Sequence, residues 1–341
     1  MLKHDIVVIG ASAGGVYALK DLAAALPADF PAIILIVLHV SANEPSYLPD
    51  ILTLAGKLPA THPRDGETMR KGHIYIAPPD HHLLVESNRL LVKRGPKENR
   101  FRPSIDALFR SAAYTYGPRV IGVILSGMLD DGTSGMWSVK RLGGVSVIQD
   151  PQEAPYPSMP QSVAQQVPVD HCVRMDQLAD LLSNLVAEPA GQRPSLSEAE
   201  EIRISSEVQI AQANPALKMG ILNIGQPSNL TCPECHGALR RIEEGKQVRY
   251  RCHTGHSFSR ISLLSGINQA VEESLWNAIR ALEETLMLLA PDQGFSQANH
   301  TTEAYQYPID QAQAKLDLLR SMVMGLSMIE ASGIPEDPPR S

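Results

Sequence analysis

A glycine-rich turn that carries a serine is the first feature of the chain with the residue types for chemistry. Ser12 stands in Gly10-Ala11-Ser12-Ala13-Gly14-Gly15, between a β-rich run and a helical pattern. Glycines permit a sharp strand-to-helix turn and a close approach of substrate. Free backbone N–H groups at the start of the helix, with the positive end of its dipole, stabilise a developing oxyanion. The turn therefore predicts a nucleophilic serine for acyl transfer.

Two other interpretations of this turn stay open. A phosphate-binding loop also places glycines after a strand and before a helix, and a plain structural turn needs no ligand. The spacing of Gly10, Gly14 and Gly15 is not G-x-G-x-x-G, the loop has no Walker lysine, and no acidic residue ends the second β-rich run. These observations favour the nucleophile.

A serine hydroxyl needs a neighbouring base before it is a useful nucleophile. His39 directly follows the second β-rich run. The carboxyl ends of adjacent parallel strands meet at one edge of a sheet, so we expect His39 beside the turn that carries Ser12. A histidine at a strand end is by itself more often structural, and the presence of Ser12 is what favours a general base.

A carboxylate that orients the imidazole would complete such a site. Asp130 and Asp131 follow the strongest β-rich run, residues 120–125, within Ser126-Gly127-Met128-Leu129-Asp130-Asp131-Gly132. An acidic loop at a strand end can instead cap a helix or bind a cation. On the residues alone, both aspartates are candidates for the carboxylate.

Three cysteines and a histidine have the spacing of a metal site. Cys232 and Cys235 form a C-x₂-C pair, and Cys252 and His256 form a C-x₃-H pair. Three sulfurs and one imidazole suit tetrahedral zinc, and four protein ligands leave no open position for water. We therefore predict a structural zinc ion in a small zinc ribbon and no cofactor for catalysis. Redox-active thiols and incidental cysteines are the alternatives.

The fourth ligand of this predicted site has two competitors, His236 and His253. Gly255 permits a turn before His256, and three residues between two ligands is a common spacing. His256 is therefore favoured. The basic and aromatic segment 248–251 before Cys252 is predicted to be a strand of the ribbon.

The elements that must position these residues alternate along the first half of the chain. Helical patterns, for example at residues 16–26 and 105–116, lie between apolar runs typical of buried parallel strands. The predicted strands are residues 5–9, 32–38, 73–77, 120–125 and 145–148. The predicted fold class is therefore α/β, a doubly wound, mostly parallel sheet with helices on both faces.

Composition changes predict four segments. They are a catalytic α/β domain at 1–190, a linker at 191–228, the zinc-binding module at 229–262 and a helical hairpin at 263–335. Residues 188–195 have the composition of a linker. Apolar positions keep helical spacing over 263–290 and again over 309–329, with a polar loop at 291–302, which predicts an antiparallel pair of helices.

Length, charge and composition exclude several classes of protein. A chain of 341 residues with 43% apolar content can bury the cores of more than one domain. A net charge of −7 argues against binding DNA or an anionic membrane by bulk electrostatics. The longest apolar run is far shorter than the roughly 20 residues that cross a bilayer, and no signal peptide pattern is present. We expect a cytoplasmic protein that neither binds nucleic acid nor inserts into a membrane.

Six motifs between residues 4 and 186 occur in the order of one known family. They are Ile9-Gly10-Ala11-Ser12-Ala13-Gly14-Gly15, Leu38-His39-Val40, Asp65-Gly66-Glu67, Gly72-His73-Ile74-Tyr75-Ile76-Ala77-Pro78, Arg102-Pro103-Ser104-Ile105-Asp106, and Leu125-Ser126-Gly127-Met128 through Asp131-Gly132. The domain thus resembles the catalytic domain of the chemotaxis protein-glutamate methylesterase family. The resemblance implies that Ser12 is the nucleophile, His39 the general base and Asp131 the third member of the triad. It also implies that the loop Asp80-His81-His82 and Met128 lie near the site.

The chain departs from the family pattern at some points. Ala13 replaces a threonine of some members, and Leu129-Asp130 replaces a Gly-Asn-like pair, although Gly132 and Gly135 align the motif on Asp131. Many members begin with a receiver domain, which we expect this chain to lack. A similar cysteine-rich extension follows the esterase domain in one subset of the family.

The resemblance implies a Ser-His-Asp hydrolase of glutamate γ-methyl esters on chemoreceptors, with glutamine deamidation in related members. Its partners would be methylated chemoreceptors or other proteins of a chemotaxis or chemosensory pathway. Two alternatives stay open: a serine esterase with a different ester substrate, and a zinc-stabilised signalling adaptor with a vestigial site. The intact triad positions argue against the adaptor.

Overall fold

The computed structural model of the protein describes residues 2–290 and 303–325. The strands are β1 (Ile6–Ala11), β2 (Ile33–Leu38), β3 (Ala60–Thr61), β4 (Glu67–Thr68), β5 (His73–Ile76), β6 (His82–Glu86), β7 (Arg89–Lys93), β8 (Val120–Ile124), β9 (Val145–Gln149), β10 (His171–Val173), β11 (Gln226–Thr231), β12 (Ala238–Glu244), β13 (Gln247–Cys252) and β14 (Ser257–Ser259). The α-helices are α1 (Gly15–Ala25), α2 (Leu48–Ala55), α3 (Ile105–Tyr116), α4 (Thr133–Arg141), α5 (Ser158–Gln166), α6 (Met175–Leu185), α7 (Glu198–Ala211), α8 (Arg260–Leu289) and α9 (Glu303–Met324).

A parallel sheet of seven strands forms the centre of the fold, in the order β10-β9-β8-β1-β2-β5-β3. Every residue of β1 and β2 is buried. Such continuous apolar strands occur where helices cover both faces of a sheet. The predicted α/β class and the five predicted strands of this sheet are confirmed, with ends that differ by one or two residues.

The two faces of the sheet pack against different helices. Val7 and Ile9 of β1 belong to a core that includes the apolar sides of α1, α2 and α6. Ile6 and Val8 belong to a second core, which includes side chains of α3, α4 and α5. Successive residues of a strand point to opposite faces, so one short run of sequence contributes to both cores. The loops that carry the candidate catalytic residues follow the carboxyl ends of these strands.

The first compact unit of the chain extends beyond the parallel sheet and ends at Leu263. It also contains the antiparallel sheets β4-β7-β6 and β11-β12-β13-β14. The segment predicted as a linker, 191–228, contains the helix α7, whose Ser197 N-cap accepts a hydrogen bond from Glu200 N–H. The predicted boundaries at 190 and 229 lie inside this unit, and the division into four segments stays a prediction.

Buried ion pairs join α7 and the ribbon strands to the α/β domain. Glu98 pairs with Arg110 of α3 at 3.0 Å and with Arg251 of β13 at 2.8 Å. Glu207 of α7 pairs with Arg251 at 3.1 Å and with Arg249 at 2.8 Å. Removing one partner from a buried pair costs about 3–5 kcal/mol, because the other charge is left unpaired in a low dielectric. This cost opposes detachment of the ribbon from the domain.

The second compact unit begins at Leu264 and contains most of α8 together with α9. An ion pair at 2.6 Å joins Glu283 of α8 to Arg320 of α9. The antiparallel hairpin stays a prediction, because its loop at 291–302 and its end at 326–335 lie outside the described residues.

Among the helices of residues 2–290 and 303–325, none has the length and apolar character required to cross a membrane.

Candidate active site and metal centre

Ser12 and His39 occupy equivalent positions at the carboxyl edge of the sheet. Ala11 of β1 pairs with Leu38 of β2, and each candidate residue is the next one along its strand. His39 N–H continues the pairing and donates to Ala11 O at 3.1 Å. Neighbouring strands lie about 4.8 Å apart, so the backbones of the two residues run side by side. The sheet thus brings the predicted nucleophile and the predicted base to one place.

The backbone around Ser12 is held on both sides. Ser12 N–H donates to Ser126 O at 3.0 Å, and Gly15 N–H donates to Ser12 O at 2.9 Å. Gly14 has φ 77°, in the left-handed region that favours glycine, and α1 begins directly after it. A Cβ on Gly127 would lie 2.9 Å from Ser12 Cβ, so glycine is also needed there. The serine therefore stands on a tightly packed strand-to-helix turn.

Two backbone N–H groups follow Ser12 without an acceptor. Ala13 and Gly14 donate to no group within residues 2–290 and 303–325, because they precede the first intrahelical hydrogen bond of α1. Ser12 N–H is already used by Ser126. The amides of Ala13 and Gly14, at the positive end of the α1 dipole, are therefore available to hold an oxyanion beside Ser12.

His39 forms a buried pair with Asp131. Its Nε2 lies 2.9 Å from Asp131 Oδ2, and the side chains are 5% and 0% exposed. A carboxylate accepts and does not donate, so Nε2 carries the proton and the neutral ring has its lone pair on Nδ1. Nδ1 is buried and has no hydrogen-bond partner within the described part of the chain. Phe101 stacks on the ring at 3.7 Å between centroids. The imidazole is thus fixed in the tautomer that can accept a proton at Nδ1.

Asp131 accepts several hydrogen bonds besides the one from His39. Asn99 Nδ2 donates at 2.9 Å, Ser104 Oγ at 3.0 Å and Ile105 N–H at 2.7 Å. Burial alone would raise the pKa of Asp131, but the hydrogen bond from His39, the positive charge of that ring when it is protonated, and the donors Asn99 and Ile105 hold it below its usual value. Asp131 therefore stays ionised at neutral pH and stabilises a protonated His39.

Asp130 has a different environment from Asp131. It accepts a hydrogen bond from Ser259 Oγ at 2.9 Å. Burial raises the pKa of Asp130 to about 6, although the Ser259 hydrogen bond and its own backbone N–H oppose this shift. Of the two candidate aspartates, Asp131 is the one that the structure places against His39.

Asp106 holds the loop that carries Asp131. Its Oδ1 accepts from Gly132 N–H at 3.0 Å and from Gly135 N–H at 2.6 Å, and its Oδ2 accepts from Asn99 Nδ2 at 2.8 Å. Burial, and next the charge of Asp131, raise the pKa of Asp106 well above its usual value. Two carboxyl groups thus lie close together, with the Asn99 amide between them.

Sequence analysis missed the supporting residues Asn99, Phe101, Ser104 and Asp106. Ser104 and Asp106 lie within one of the matched motifs, but their types alone assign them no role. Asn99 and Phe101 precede that motif and carry no local signal.

The loop Asp80-His81-His82 is connected to the candidate site by a hydrogen bond between His82 and Ser104. His82 is fully buried, and its Nδ1 accepts from Ser104 N–H at 3.2 Å while Nε2 donates to Pro96 O at 2.9 Å. Burial lowers the pKa of His82, which keeps this ring neutral. Met128, the other predicted neighbour, is 54% exposed. His82 thus fixes the segment that contains Ser104, which in turn donates to Asp131.

Cys232, Cys235, Cys252 and His256 form a cluster whose ligand atoms all lie within 4.8 Å of one another. Cys235 Sγ is 3.6 Å from Cys252 Sγ, and His256 Nδ1 is 3.6 Å from Cys252 Sγ and 3.7 Å from Cys232 Sγ. Zinc–sulfur bonds of about 2.3 Å place tetrahedral ligands about 3.6–3.8 Å apart. The cluster therefore has the ligand types and the separations for a tetrahedral metal ion. The competing ligands, His236 and His253, are not members of it.

Comparison with known proteins identifies the relatives of the α/β region. The profile of the CheB methylesterase family matches residues 7–182. A protein of Leptospira interrogans with a provisional name as a protein-glutamate methylesterase/protein-glutamine glutaminase is 35% identical over 185 residues, which are 54% of this chain and 96% of that protein. Protein-glutamate methylesterase/protein-glutamine glutaminase 4 of Myxococcus xanthus is 38% identical over 53% of this chain and 52% of its own length.

A solved structure is similar to the same region. The crystal structure of the Thermotoga maritima CheB methylesterase catalytic domain matches with a TM-score of 0.52 and 33% sequence identity. The match covers 54% of this chain and all of the Thermotoga chain. The α7 helix, the cysteine cluster and the last two helices lie beyond the residues that the family profile matches.

Proposed function

The chain belongs to the CheB methylesterase family, and from this premise we propose that it hydrolyses glutamate γ-methyl esters on chemoreceptors. One observation carries the proposal: the buried Nδ1 of His39 has no partner within the described residues, beside the turn of Ser12, while Nε2 is held by Asp131. A general base with that tautomer beside a serine is the arrangement that acyl transfer requires.

The proposed reaction begins when Ser12 Oγ attacks the ester carbonyl and its proton passes to His39 Nδ1. The negative charge of the tetrahedral intermediate is stabilised by the N–H groups of Ala13 and Gly14. Asp131 stabilises the imidazolium without taking its proton. His39 then gives the proton to the leaving oxygen, so that methanol departs and an acyl-enzyme remains.

Hydrolysis of the acyl-enzyme reuses the same groups. Water attacks the carbonyl, His39 Nδ1 takes one of its protons, and the intermediate collapses to release glutamate and return the proton to Ser12. A glutamine side chain would form the same acyl-enzyme with ammonia as the leaving group. Relatives of this chain carry names with both activities, and both fit the proposed site.

Methanol release tests the proposed function directly. We expect the purified chain to release methanol from receptor helices that carry glutamate γ-methyl esters. We expect slower hydrolysis of the small ester para-nitrophenyl acetate, because a small ester lacks the remote contacts that position a receptor helix. Unmethylated receptor is the control.

The other results would identify the alternatives. Hydrolysis of the small ester alone would indicate a different ester substrate. No reaction with either substrate would contradict the enzyme assignment and favour a signalling adaptor.

We further propose that the cysteine cluster binds one structural zinc ion. Its three sulfurs and one imidazole match the preference of zinc, and all four positions are taken by protein, so the ion would stabilise the ribbon β11–β14 and take no part in the ester reaction. Zinc in such a site would link Cys232 and Cys235, between β11 and β12, to Cys252 at the end of β13 and to His256 just before β14.

Metal analysis of cysteine variants tests this site. We expect one zinc per chain in the wild type and none in the double variant Cys232→Ser/Cys235→Ser, because two of the four ligands are lost. Residues 230–258 should then lose protection from amide hydrogen exchange, while the parallel sheet stays folded. Cys172→Ser is the matched control, because Cys172 is exposed and outside the cluster. Wild-type protein without zinc, or with iron, would contradict the proposal.

A further inference from the structure

The side chain of Asn99 connects the proposed catalytic acid to the segment that follows the metal cluster. Its Nδ2 group donates to Asp131 Oδ1 at 2.9 Å and to Asp106 Oδ2 at 2.8 Å. Its Oδ1 accepts from Ser259 N–H at 2.8 Å and from Ser262 Oγ at 3.0 Å. Asn99 is 3% exposed. Every donor and acceptor of the amide is therefore used inside the protein.

The segment 257–262 determines which way this amide points. If the amide were reversed, its oxygen would face the carboxylates of Asp131 and Asp106, and its NH₂ group would face two donors. The donors from Ser259 and Ser262 thus favour the orientation in which NH₂ faces Asp131. These two residues lie outside the region matched by the family profile, residues 7–182.

The backbone around Asn99 is held by the same segment. Asn99 N–H donates to Ser257 O at 2.7 Å, and Ser257 N–H donates to Lys97 O at 3.2 Å. Asn99 and Arg100 have φ 50° and 72°, a left-handed conformation that asparagine tolerates better than most residues. Pairing with β14 therefore stabilises a turn that is unfavourable on its own.

This turn contacts both partners of the buried His–Asp pair. Phe101 stacks on the His39 ring, and Asn99 donates to Asp131. Glu98, at the start of the turn, pairs with Arg110 of α3 and with Arg251 of the ribbon strand β13. A structural change in the ribbon would thus alter the positions of the His39 ring and the Asp131 carboxylate through the segment 98–101.

Asn99 also keeps two neighbouring carboxyl groups apart. Without its two N–H donors, Asp131 and Asp106 would be free to share a proton, since two adjacent carboxylates do not both ionise easily. The other charged or titratable groups around them are His39, Asp130, Arg110, Glu98 and His82. A shared proton would deprive His39 of its anionic partner.

We infer that the segment 257–262 is part of the esterase machinery: Ser259 and Ser262 orient Asn99, which acts as a positioning residue for Asp131. The inference rests on the proposed function for its consequence in catalysis. The segment begins one residue after the proposed ligand His256, so a folded ribbon is a structural requirement of the active site.

Two variants test the inference in the full chain. Asn99→Asp has the same size and tolerates the same backbone, but it replaces the NH₂ group with an acceptor. We expect kcat on para-nitrophenyl acetate at neutral pH to fall about 100-fold with little change in KM, because a buried carboxylate loses a donor and gains a repulsive neighbour. Ser262→Ala removes one constraint on the amide, and we expect a fall of about three- to tenfold.

The pH profile separates positioning from a general loss of structure. Loss of the Asn99 donor raises the pKa of Asp131, so the ionised form is reached only at higher pH. The acid limb of kcat should therefore move to higher pH in Asn99→Asp, and by a smaller amount in Ser262→Ala, where the amide is held less firmly; activity should recover partly as the pH rises. Ser228→Ala, in β11, whose hydroxyl accepts from Leu230 N–H, is the matched control and should keep the wild-type profile.

A second measurement does not depend on catalysis. The proton on His39 Nε2, shared with Asp131, should give a downfield NMR resonance that weakens or shifts in Ser262→Ala and stays unchanged in Ser228→Ala. A wild-type resonance and pH profile in folded Ser262→Ala would overturn the inference, even if Asn99→Asp failed to fold. If the wild type hydrolyses no ester, the proposed function fails, and the resonance still decides whether Ser262 positions the pair.

Discussion

Replacement of Ser12 by alanine is expected to abolish ester hydrolysis while the protein stays folded. Loss of a triad nucleophile lowers kcat by about 10⁴- to 10⁶-fold, because no other group forms the acyl-enzyme. The change removes one oxygen from a turn whose backbone is held by Ser126 O and by Gly15 N–H, so both hydrogen bonds remain. Methanol release should fall to background, with an unchanged circular dichroism spectrum and melting temperature.

A serine-directed sulfonyl fluoride provides an independent measurement of the same assignment. It should modify Ser12 in the wild type, as shown by mass spectrometry of the digested protein, and should not modify the alanine variant. Ser183→Ala is the matched control: this serine lies on α6, donates to Ala179 O, and should keep full activity and labelling. Retained hydrolysis in Ser12→Ala, or labelling of another serine, would reject Ser12 as the nucleophile.

The parallel sheet was predictable because its strands are buried on both sides. β1 and β2 are continuous apolar runs, and such runs separated by helical patterns leave few alternatives to a doubly wound sheet. The two-residue strands β3 and β4 have no such pattern. Their pairing depends on where the neighbouring chain passes, which a local pattern does not contain.

Helix α7 shows why residues 191–228 were predicted to be a linker and not to contain a packed helix. Two of its charged residues, Arg203 and Glu207, are buried against ion-pair partners in the ribbon. A charged residue normally indicates a face of a helix that is exposed to solvent. Because charged residues occupy the buried face of α7, the sequence shows no apolar stripe that would predict which side packs. The partners that make burial possible lie about 40 residues away, beyond any helical or strand period.

The candidate site was predictable to the extent that the backbone alone brings it together. Ser12, His39 and Asp131 each follow a strand of one parallel sheet, so their placement at its carboxyl edge follows from the fold. The residues of the cysteine cluster are close in sequence and have a spacing typical of zinc sites. Asn99 was missed because its proposed role depends on Ser259 and Ser262, which lie about 160 residues away in sequence. No residue type or spacing predicts such a long-range contact.

The difference between Asp131 and Asp130 should appear as a large difference in turnover. Asp131→Asn is expected to lower kcat about 10⁴-fold, as the loss of the orienting carboxylate does in serine hydrolases with a triad. Asp130 accepts from Ser259 Oγ, whereas His39 Nε2 pairs with Asp131, and an asparagine at position 130 keeps an acceptor for that hydroxyl. Asp130→Asn is therefore the matched control, with kcat expected within about threefold of the wild type, as for most changes that leave the hydrogen bonds intact.

The physical reason for the loss lies in the tautomer of His39. An amide at position 131 has one NH₂ group, which must face either His39 Nε2 or the donors Asn99 and Ser104. Facing Asn99 and Ser104, it would meet two donors, whereas facing Nε2 it would meet one competing donor, Ile105 N–H, so the second orientation is favoured. Facing Nε2, it would donate to the ring and move the ring proton to Nδ1. His39 would then have no lone pair for the proton of Ser12.

This change of tautomer is open to direct measurement. With nitrogen-15 in the histidine rings, the NMR spectrum should report a protonated Nε2 in wild type and in Asp130→Asn, and a protonated Nδ1 in Asp131→Asn. The rate on methylated receptor should follow the tautomer, with the large loss only in Asp131→Asn. If instead Asp130→Asn were the inactive variant, with the wild-type tautomer retained in Asp131→Asn, the carboxylate that serves His39 would be Asp130 and the proposed mechanism would be wrong at that residue.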